Sequence, residues 1–318
     1  MNVFKLKPVI KDYIWGGNRL TREFDYVSFL DRQAEAWVLS CHKDGESIIE
    51  NGEYEGKTLR EAVSENKELL GENCRGMKDF PILIKLIDAK DNLSIQVHPD
   101  EEYSQRVEGE HGKTEAWYIL DCDKGAEIIF GFKEDITVAE FENAINNNTL
   151  TEKVNRVKVR KGDIFFIESG TLHAICKGIL LAEVQQNSNT TYRVYDYGRL
   201  QNGEPRELHI NKALDVTNLS KKEVNRDCIR KENSEGCERT VLCQCDIFSF
   251  SSLKINEEAE FEAGNESFVS LVCIDGNGVL MVGDEAITLY KGDSIFVPAG
   301  TGKYTLLGKV TVIETKIP

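Results

Sequence analysis

Lys161-Gly162-Asp163-Ile164-Phe165-Phe166-Ile167-Glu168-Ser169-Gly170-Thr171-Leu172-His173 returns later in the chain as Lys291-Gly292-Asp293-Ser294-Ile295-Phe296-Val297-Pro298-Ala299-Gly300-Thr301-Gly302-Lys303. Six of the thirteen positions are identical at a constant offset of 130, and several others are apolar in both copies. A Gly-Asp turn, a short apolar strand and a second glycine turn describe the edge of a β-hairpin. Two such stretches at this distance imply two copies of one β-unit. The copies part at one chemically decisive position. The first ends in His173 and the second in Lys303, which is a cation at neutral pH and no metal ligand. A metal site built on this motif therefore belongs to the first copy alone.

Outward from the repeat, short runs rich in Ile, Val and aromatics, bounded by Gly, Asp and Asn, occupy residues 47–49, 82–87, 93–98, 116–120, 126–130, 163–167 and 180–184. They read as strands, and their spacing predicts a mainly β chain of tandem jelly-roll sandwich or barrel units. Two capping boxes, Thr58-Leu59-Arg60-Glu61 and Thr137-Val138-Ala139-Glu140, open helices inserted on that scaffold. Ala62, Val63, Leu69 and Leu70 continue the first at helical spacing, and Phe141, Ala144 and Ile145 the second. A third short helix is expected over residues 209–216. Residues 221–239 are charged with little apolar content, and the β pattern resumes at Leu242. The expected division is a metal-binding unit with helical insertions over residues 1–240 and a degenerate copy without a metal site over 241–318.

The chain has 318 residues, about two domains' worth, enough to bury a sizeable core. At 41% hydrophobic and 29% charged, with only 6 Pro, it has the composition of a soluble globular protein and neither a disordered nor a fibrous one. A net charge of −15 disfavours nucleic acid as a partner. An anionic small molecule is accommodated only where cations gather at one site. The N-terminus lacks the pattern of a secretory signal, and no apolar stretch approaches the roughly 18 residues of a membrane span, so a cytoplasmic protein without a membrane partner is expected. Nine cysteines, scattered and without a Cys-x-x-Cys pair, argue against a disulfide framework or a thiolate zinc site. The one close pair, Cys243-Gln244-Cys245, reads as ordinary reduced thiols in a strand. Nothing in the sequence sets an oligomeric state.

Alternation along Leu93-Ser94-Ile95-Gln96-Val97-His98 sends Ile95 and Val97 to one face and Gln96 and His98 to the other. A polar pair on an inward face calls for a reason. Glu115 stands just before the apolar run Ala116-Trp117-Tyr118-Ile119-Leu120, and His173 closes the Gly-Asp hairpin. Two histidines, a carboxylate and an amide oxygen make a donor set for a borderline dication that leaves room for water or substrate. His42 and His209 read as surface or packing residues. His111, four residues before Glu115 in a polar loop, is not taken as a ligand, and Trp15, Trp37 and Trp117 read as core.

The hairpin ending in Gly170-Thr171-Leu172-His173 resembles the second cupin motif, and Gln96-Val97-His98 with Glu115 resembles the first, Gln replacing the usual first His. More narrowly, several segments resemble the short bacterial form of type I mannose-6-phosphate isomerase (phosphomannose isomerase). They are Ile14-Trp15-Gly16-Gly17, Glu35-Ala36-Trp37-Val38-Leu39-Ser40, Ser94-Ile95-Gln96-Val97-His98-Pro99, Gly112-Lys113-Thr114-Glu115, Gly170-Thr171-Leu172-His173-Ala174 and Gln186-Asn187-Ser188-Asn189-Thr190-Thr191-Tyr192-Arg193-Val194-Tyr195-Asp196. The resemblance runs to about residue 215; beyond 240 only the repeat and the β character carry it.

The resemblance implies a zinc enzyme, with one Zn²⁺ per chain, that interconverts mannose 6-phosphate and fructose 6-phosphate. It makes Gln96, His98, Glu115 and His173 the metal ligands, Arg193 the active-site arginine, and Lys113 the lysine of a Lys-x-Glu motif. Two positions depart from the family pattern: Gly112 stands where many relatives have His, and Asn189 where Asp is frequent. Moving a proton between C1 and C2 through an enediol needs stabilised oxyanions and one acid/base. A metal ion and the permanently charged Arg193 suit the first requirement, Arg193 gripping either enediolate or phosphate. Lys113 is a candidate for proton transfer or for a phosphate contact, with His111 and a metal-bound water as the other candidates for the acid/base. The alternatives are another metal-dependent cupin enzyme on sugar phosphates and a non-catalytic sugar-binding or regulatory cupin.

Overall fold

The computed structural model describes residues 3–224 and 229–318; Met1, Asn2 and residues 225–228, among them Cys228, lie outside the described residues. The chain is mainly β, as its spacing predicts, and its strands form open sheets and not a closed barrel. A six-stranded sheet runs, in spatial order, Ile164–Ile167, Glu115–Cys122, Ile179–Gln186, Ile82–Ala89, Glu35–Leu39 and Val9–Lys11. Facing it is a five-stranded sheet of Val154–Lys158, Glu127–Phe132, His173–Ile175, Ile95–Val97 and Tyr192–Tyr195. All neighbours in both are antiparallel.

The six-stranded sheet is buried on both faces, and strand periodicity decides what each face carries. Ala36, Val38, Ile82, Ile84, Leu86, Ala116, Leu180, Ala182 and Val184 pack outward with Phe4, Phe248, Phe250, Phe268 and Phe296. Trp117, Ile119, Ile87, Ala89, Ile179 and Leu181 pack inward with Phe130, Phe165 and Ile175. Each such apolar side chain contributes about 1.5–3 kcal/mol when fully buried. The odd-numbered positions Glu35, Lys85, Glu115 and Glu183 share the inward face with these residues, so four charges stand inside the sandwich. Behind the five-stranded sheet, Ile95, Val97, Ala174, Tyr192 and Val194 pack against the helices Val138–Asn146 and Ile210–Val216.

Both capping boxes form, over Leu59–Glu65 and Val138–Asn146, each contributing about 1 kcal/mol. The first helix stops at Glu65 instead of continuing through Leu69 and Leu70, which lie in a separate 3₁₀ turn, Lys67–Leu70. Short helices at Arg19–Phe24, Glu101–Val107 and Leu150–Lys153 join those expected. No helix among the described residues is long and apolar enough to cross a membrane.

The repeat is reproduced bond for bond. In the first copy the Gly162 N–H donates to the Ile119 carbonyl at 2.8 Å and the Arg160 N–H to Asp163 Oδ2 at 3.0 Å; in the second, Gly292 donates to Cys273 at 2.8 Å and Tyr290 to Asp293 Oδ2 at 2.8 Å. Gly162 and Gly292 have φ of 88° and 102°, and Gly170 and Gly300 have 80° and 75°, a region that only glycine enters cheaply. The sheet holding the second copy draws on more of the chain than residues 241–318. Its order is Arg230–Ser234, Cys237–Gln244, Ser249–Ile255, Gly302–Lys316, Val269–Val282, Ser294–Val297, Phe4–Lys7 and Ile48–Ile49, with Glu258–Ala263 and Glu285–Tyr290 alongside. The charged stretch thus contributes an edge strand, and the N-terminus a strand paired at Phe4–Phe296.

Candidate metal centre and active site

Three strands of the five-stranded sheet set His173, Gln96 and Arg193 side by side in register, all on the inward face. Glu115 comes from the facing sheet, where it pairs with Ile167 and Gln185. His98, Glu115 and His173, all buried, bring one ligand atom each to within 4.8 Å of one another. His98 Nε2 lies 3.5 Å from Glu115 Oε2, and His173 Nε2 lies 3.4 Å from Glu115 Oε1.

Both imidazoles are oriented by their far nitrogens. His98 Nδ1 contacts the Thr190 carbonyl at 3.0 Å and His173 Nδ1 the Thr171 carbonyl at 2.8 Å; a carbonyl only accepts, so each Nδ1 carries the proton and each Nε2 presents a lone pair to Glu115. Burial, then the charge of Lys113, lowers His98 to about 3, and burial lowers His173, so both rings are neutral near pH 7. Burial works against the Glu115 anion, yet the charge of Lys113 beside it more than offsets this and holds the carboxyl well below its usual range. Lys113 Nζ stands 2.7 Å from Oε2, while Oε1 has no hydrogen-bond partner among the described residues. A buried anion with unspent lone pairs beside two neutral imidazoles fits a dication. Gln96 borders the set, its amide 3.4 Å from His173 Nε2.

Gln96 and Lys113, which touch the cluster, line a cavity of about 290 Å³ together with Asn189, Arg193, Glu183 and Trp15, among others. Lys113, buried, reaches His98 Nε2 at 2.9 Å. Arg193 donates from Nη1 to the Glu207 carbonyl at 2.9 Å, and its Nε has no partner among the described residues. Burial and then the neighbouring Arg206 lower its pKa, marking a guanidinium short of counter-charge. A larger cleft of about 800 Å³, beside Arg60, Cys74 and Asn265, shares no lining residue with this cavity.

Several residues the sequence reading left out stand in the same cavity. Lys85 Nζ lies 3.1 Å from Glu183 Oε1 and 3.8 Å from Glu35 Oε2, all three buried. Trp117 and Trp37 are core, as expected, but their indole N–H groups hold the carboxylates of Glu183 and Glu35 at 2.8 and 2.7 Å. Burial and the nearby Glu115 push the Glu183 carboxyl up, with Lys85 pulling the other way. The available signal was one charge in each of two otherwise apolar runs, Ile82-Leu83-Ile84-Lys85-Leu86-Ile87 and Leu180-Leu181-Ala182-Glu183-Val184. Arg206 also lines the cavity, fixed by two bonds to Asp196 at 2.8 and 2.5 Å.

His111 stands outside the cluster, bonded to Glu101 Oε1 at 3.0 Å. His42 is buried edge-on against Trp37. His209 is no bystander, because its Nδ1 accepts the backbone N–H of Arg193 at 3.2 Å. Gly112 has a physical reason: a Cβ there would meet the backbone of Glu101 at 2.5 Å and Asp100 at 2.6 Å. Asn189 lines the cavity and donates to Asp44 at 2.8 Å.

Residues 3–143 match the catalytic-domain model of type I phosphomannose isomerase, and residues 238–317 match the mannose-6-phosphate isomerase cupin domain. The mannose-6-phosphate isomerase ManA of Bacillus subtilis is 40% identical, the match covering 98% of both chains. The chain belongs to the type I phosphomannose isomerases. The crystal structure of the Bacillus subtilis mannose 6-phosphate isomerase superimposes with a TM-score of 0.94 at 40% identity over 99% of both chains. A mannose 6-phosphate isomerase crystallised with zinc bound shares the fold, with a TM-score of 0.78 at 19% identity over 99% of both chains.

In this phosphomannose isomerase the second copy of the repeat presents no counterpart to the cluster among the described residues. Lys303 is exposed and paired with Glu260 at 2.6 Å. Lys303→His is accordingly expected to leave metal content and turnover unchanged and stability within about 0.5 kcal/mol. Elemental analysis, an isomerase assay and chemical denaturation check this; a second bound metal would contradict it.

Proposed function

We propose that this enzyme interconverts mannose 6-phosphate and fructose 6-phosphate through an enediolate, with one zinc ion per chain held by His98, Glu115, His173 and Gln96. The observation that carries the reading is the cluster of two neutral imidazoles and a buried carboxylate beside a cavity lined by Gln96, Lys113 and Arg193, whose Nε has no partner among the described residues. When bound, zinc polarises the sugar carbonyl and its neighbouring hydroxyl.

The protein's own residues do the rest. Arg193, fixed by the Glu207 carbonyl and backed by His209, turns its unpartnered Nε to the oxygens where negative charge develops. Lys113, touching Glu115 and His98, carries the proton between C2 and C1, because it is the ionisable side chain that both lines the cavity and contacts the metal donors. Thr190 and Thr171 keep both imidazole tautomers fixed throughout. The Trp15 side of the cavity shields the sugar from bulk water.

Metal content measured alongside turnover tests the reading. Purified protein is expected to carry about one zinc per chain, to lose fructose 6-phosphate formation on chelation and to regain it on zinc addition. Full turnover by metal-free protein would overturn the metal assignment, and no turnover on mannose 6-phosphate by zinc-loaded protein would overturn the substrate.

A further inference from the structure

Each imidazole of the cluster is oriented by a backbone carbonyl, but the two carbonyls are held in different ways. Thr171 stands two residues before His173, and its own N–H donates to the Glu168 carbonyl at 3.1 Å, so the turn of the hairpin fixes it. Thr190 is 92 residues from His98. It belongs to the crossover 187–191, which carries the chain from Ile179–Gln186 in the six-stranded sheet to Tyr192–Tyr195 in the five-stranded one and has neither helix nor strand of its own. Without ladder bonds, side chains must do the holding.

Every polar group of Thr190 is engaged. Its N–H donates to Ser188 Oγ at 3.2 Å, its carbonyl accepts from His98 Nδ1 at 3.0 Å, and its hydroxyl donates to Glu110 Oε2 at 3.2 Å. Glu110 Oε1 pairs in turn with Lys43 Nζ at 2.5 Å, and Lys43 sits in the hairpin formed by Cys41–His42 and Gly45–Glu46. The same hairpin reaches the neighbouring residue, where Asn189 Nδ2 donates to Asp44 Oδ2 at 2.8 Å. His42 lies near both carboxylates. Its Nδ1 accepts the Asp44 N–H at 3.1 Å, which leaves the ring proton on Nε2, 3.9 Å from Glu110 Oε2.

We propose that Glu110 is a positioning residue for the metal centre, anchoring Thr190 so that its carbonyl keeps His98 in the tautomer that presents Nε2. The inference rests on His98 serving as a metal ligand. Glu110 does not line the cavity, so its influence on the reaction passes through Thr190 and His98. His173 is independent of it, because its carbonyl partner is held within its own hairpin.

Variants of the full-length chain test this, read by zinc affinity in competition with a chromophoric chelator and by heteronuclear NMR of the imidazoles in the metal-free protein. Glu110→Ala and Thr190→Val, which deletes the hydroxyl and keeps the carbonyl, are each expected to weaken zinc binding about tenfold. The double variant is expected to bind no more weakly than either, because both changes cut one link. Thr190→Ser keeps the hydroxyl and is expected to bind as the parent does. In the weakened variants the His98 Nδ1–H resonance moves or broadens while that of His173 stays in place. Equal changes at both rings, parent-like zinc affinity in Glu110→Ala or in Thr190→Val, additive losses in the double variant, or a loss in Thr190→Ser would each overturn the proposal. A parent chain that takes up no zinc would overturn the metal assignment itself, and this inference with it.

Discussion

Glu115→Gln is expected to strip the enzyme of its metal and to cut turnover on mannose 6-phosphate by well over about 100-fold, since changes one shell further out from a metal already cost 10–100-fold. The substitution keeps the shape of the side chain and removes its charge. That charge faces three groups: His98 and His173 through their lone-pair nitrogens, and the buried Lys113 ammonium at 2.7 Å. Without it Lys113 is an uncompensated charge in the interior, a defect worth about 3–5 kcal/mol. The pH dependence has a definite sign. Because the folded-state pKa of Glu115 is depressed, its stabilisation is fully present above the ordinary carboxylate range and is lost as pH falls through the depressed value. After chelation, the stability gap between the parent and Glu115→Gln is therefore expected to be widest near neutrality and to close in acid. Denaturant melts at several pH values read it, and a gap that widens on acidification would count against the ion pair.

Arg193→Met is expected to lower kcat/KM by about 10²–10³ while metal content stays unchanged, the loss typical of one preorganised donor to a developing oxyanion. Three observations support a role in charge stabilisation over one in the fold. The guanidinium spends one bond on the Glu207 carbonyl, its Nε has no partner among the described residues, and burial and then Arg206 lower its pKa. Arg193→Lys is expected to recover little, because an ammonium on a flexible stem does not reproduce a planar fork. Undiminished kcat/KM in Arg193→Met would remove it from the chemistry, and metal loss in the same variant would reassign it to holding Gln96, its neighbour in register.

The cluster of His98, Glu115 and His173, with Gln96 beside it, was legible because each member breaks a pattern. His98 and Gln96 interrupt an alternating strand, Glu115 abuts an apolar run, and His173 ends a stretch repeated elsewhere with Lys303. Lys85, Glu183 and Glu35 were harder, since a strand buried on both faces shows no alternation for a charge to violate. The edge strand Arg230–Ser234 was invisible for the opposite reason: all five residues are exposed, so no face required apolar side chains. The helix Glu101–Val107 announced itself only through its N-cap, Asp100, whose side chain accepts the Tyr103 N–H at 2.8 Å. The role of His209 is a product of tertiary structure alone, because nothing local to it points sixteen residues back to Arg193.

The strand Phe4–Lys7 lies between Ser294–Val297 and Ile48–Ile49, and Lys5 pairs with Asp293 across 288 residues of chain. A strand made early thus waits for one made nearly 290 residues later. Until Ser294–Val297 emerges, Phe4 has no partner ring in Phe296, and one long edge of the growing protein is open to strangers. Such distant pairing makes for slow folding, and it makes the C-terminal copy the part that decides when the nascent chain is safe from aggregation.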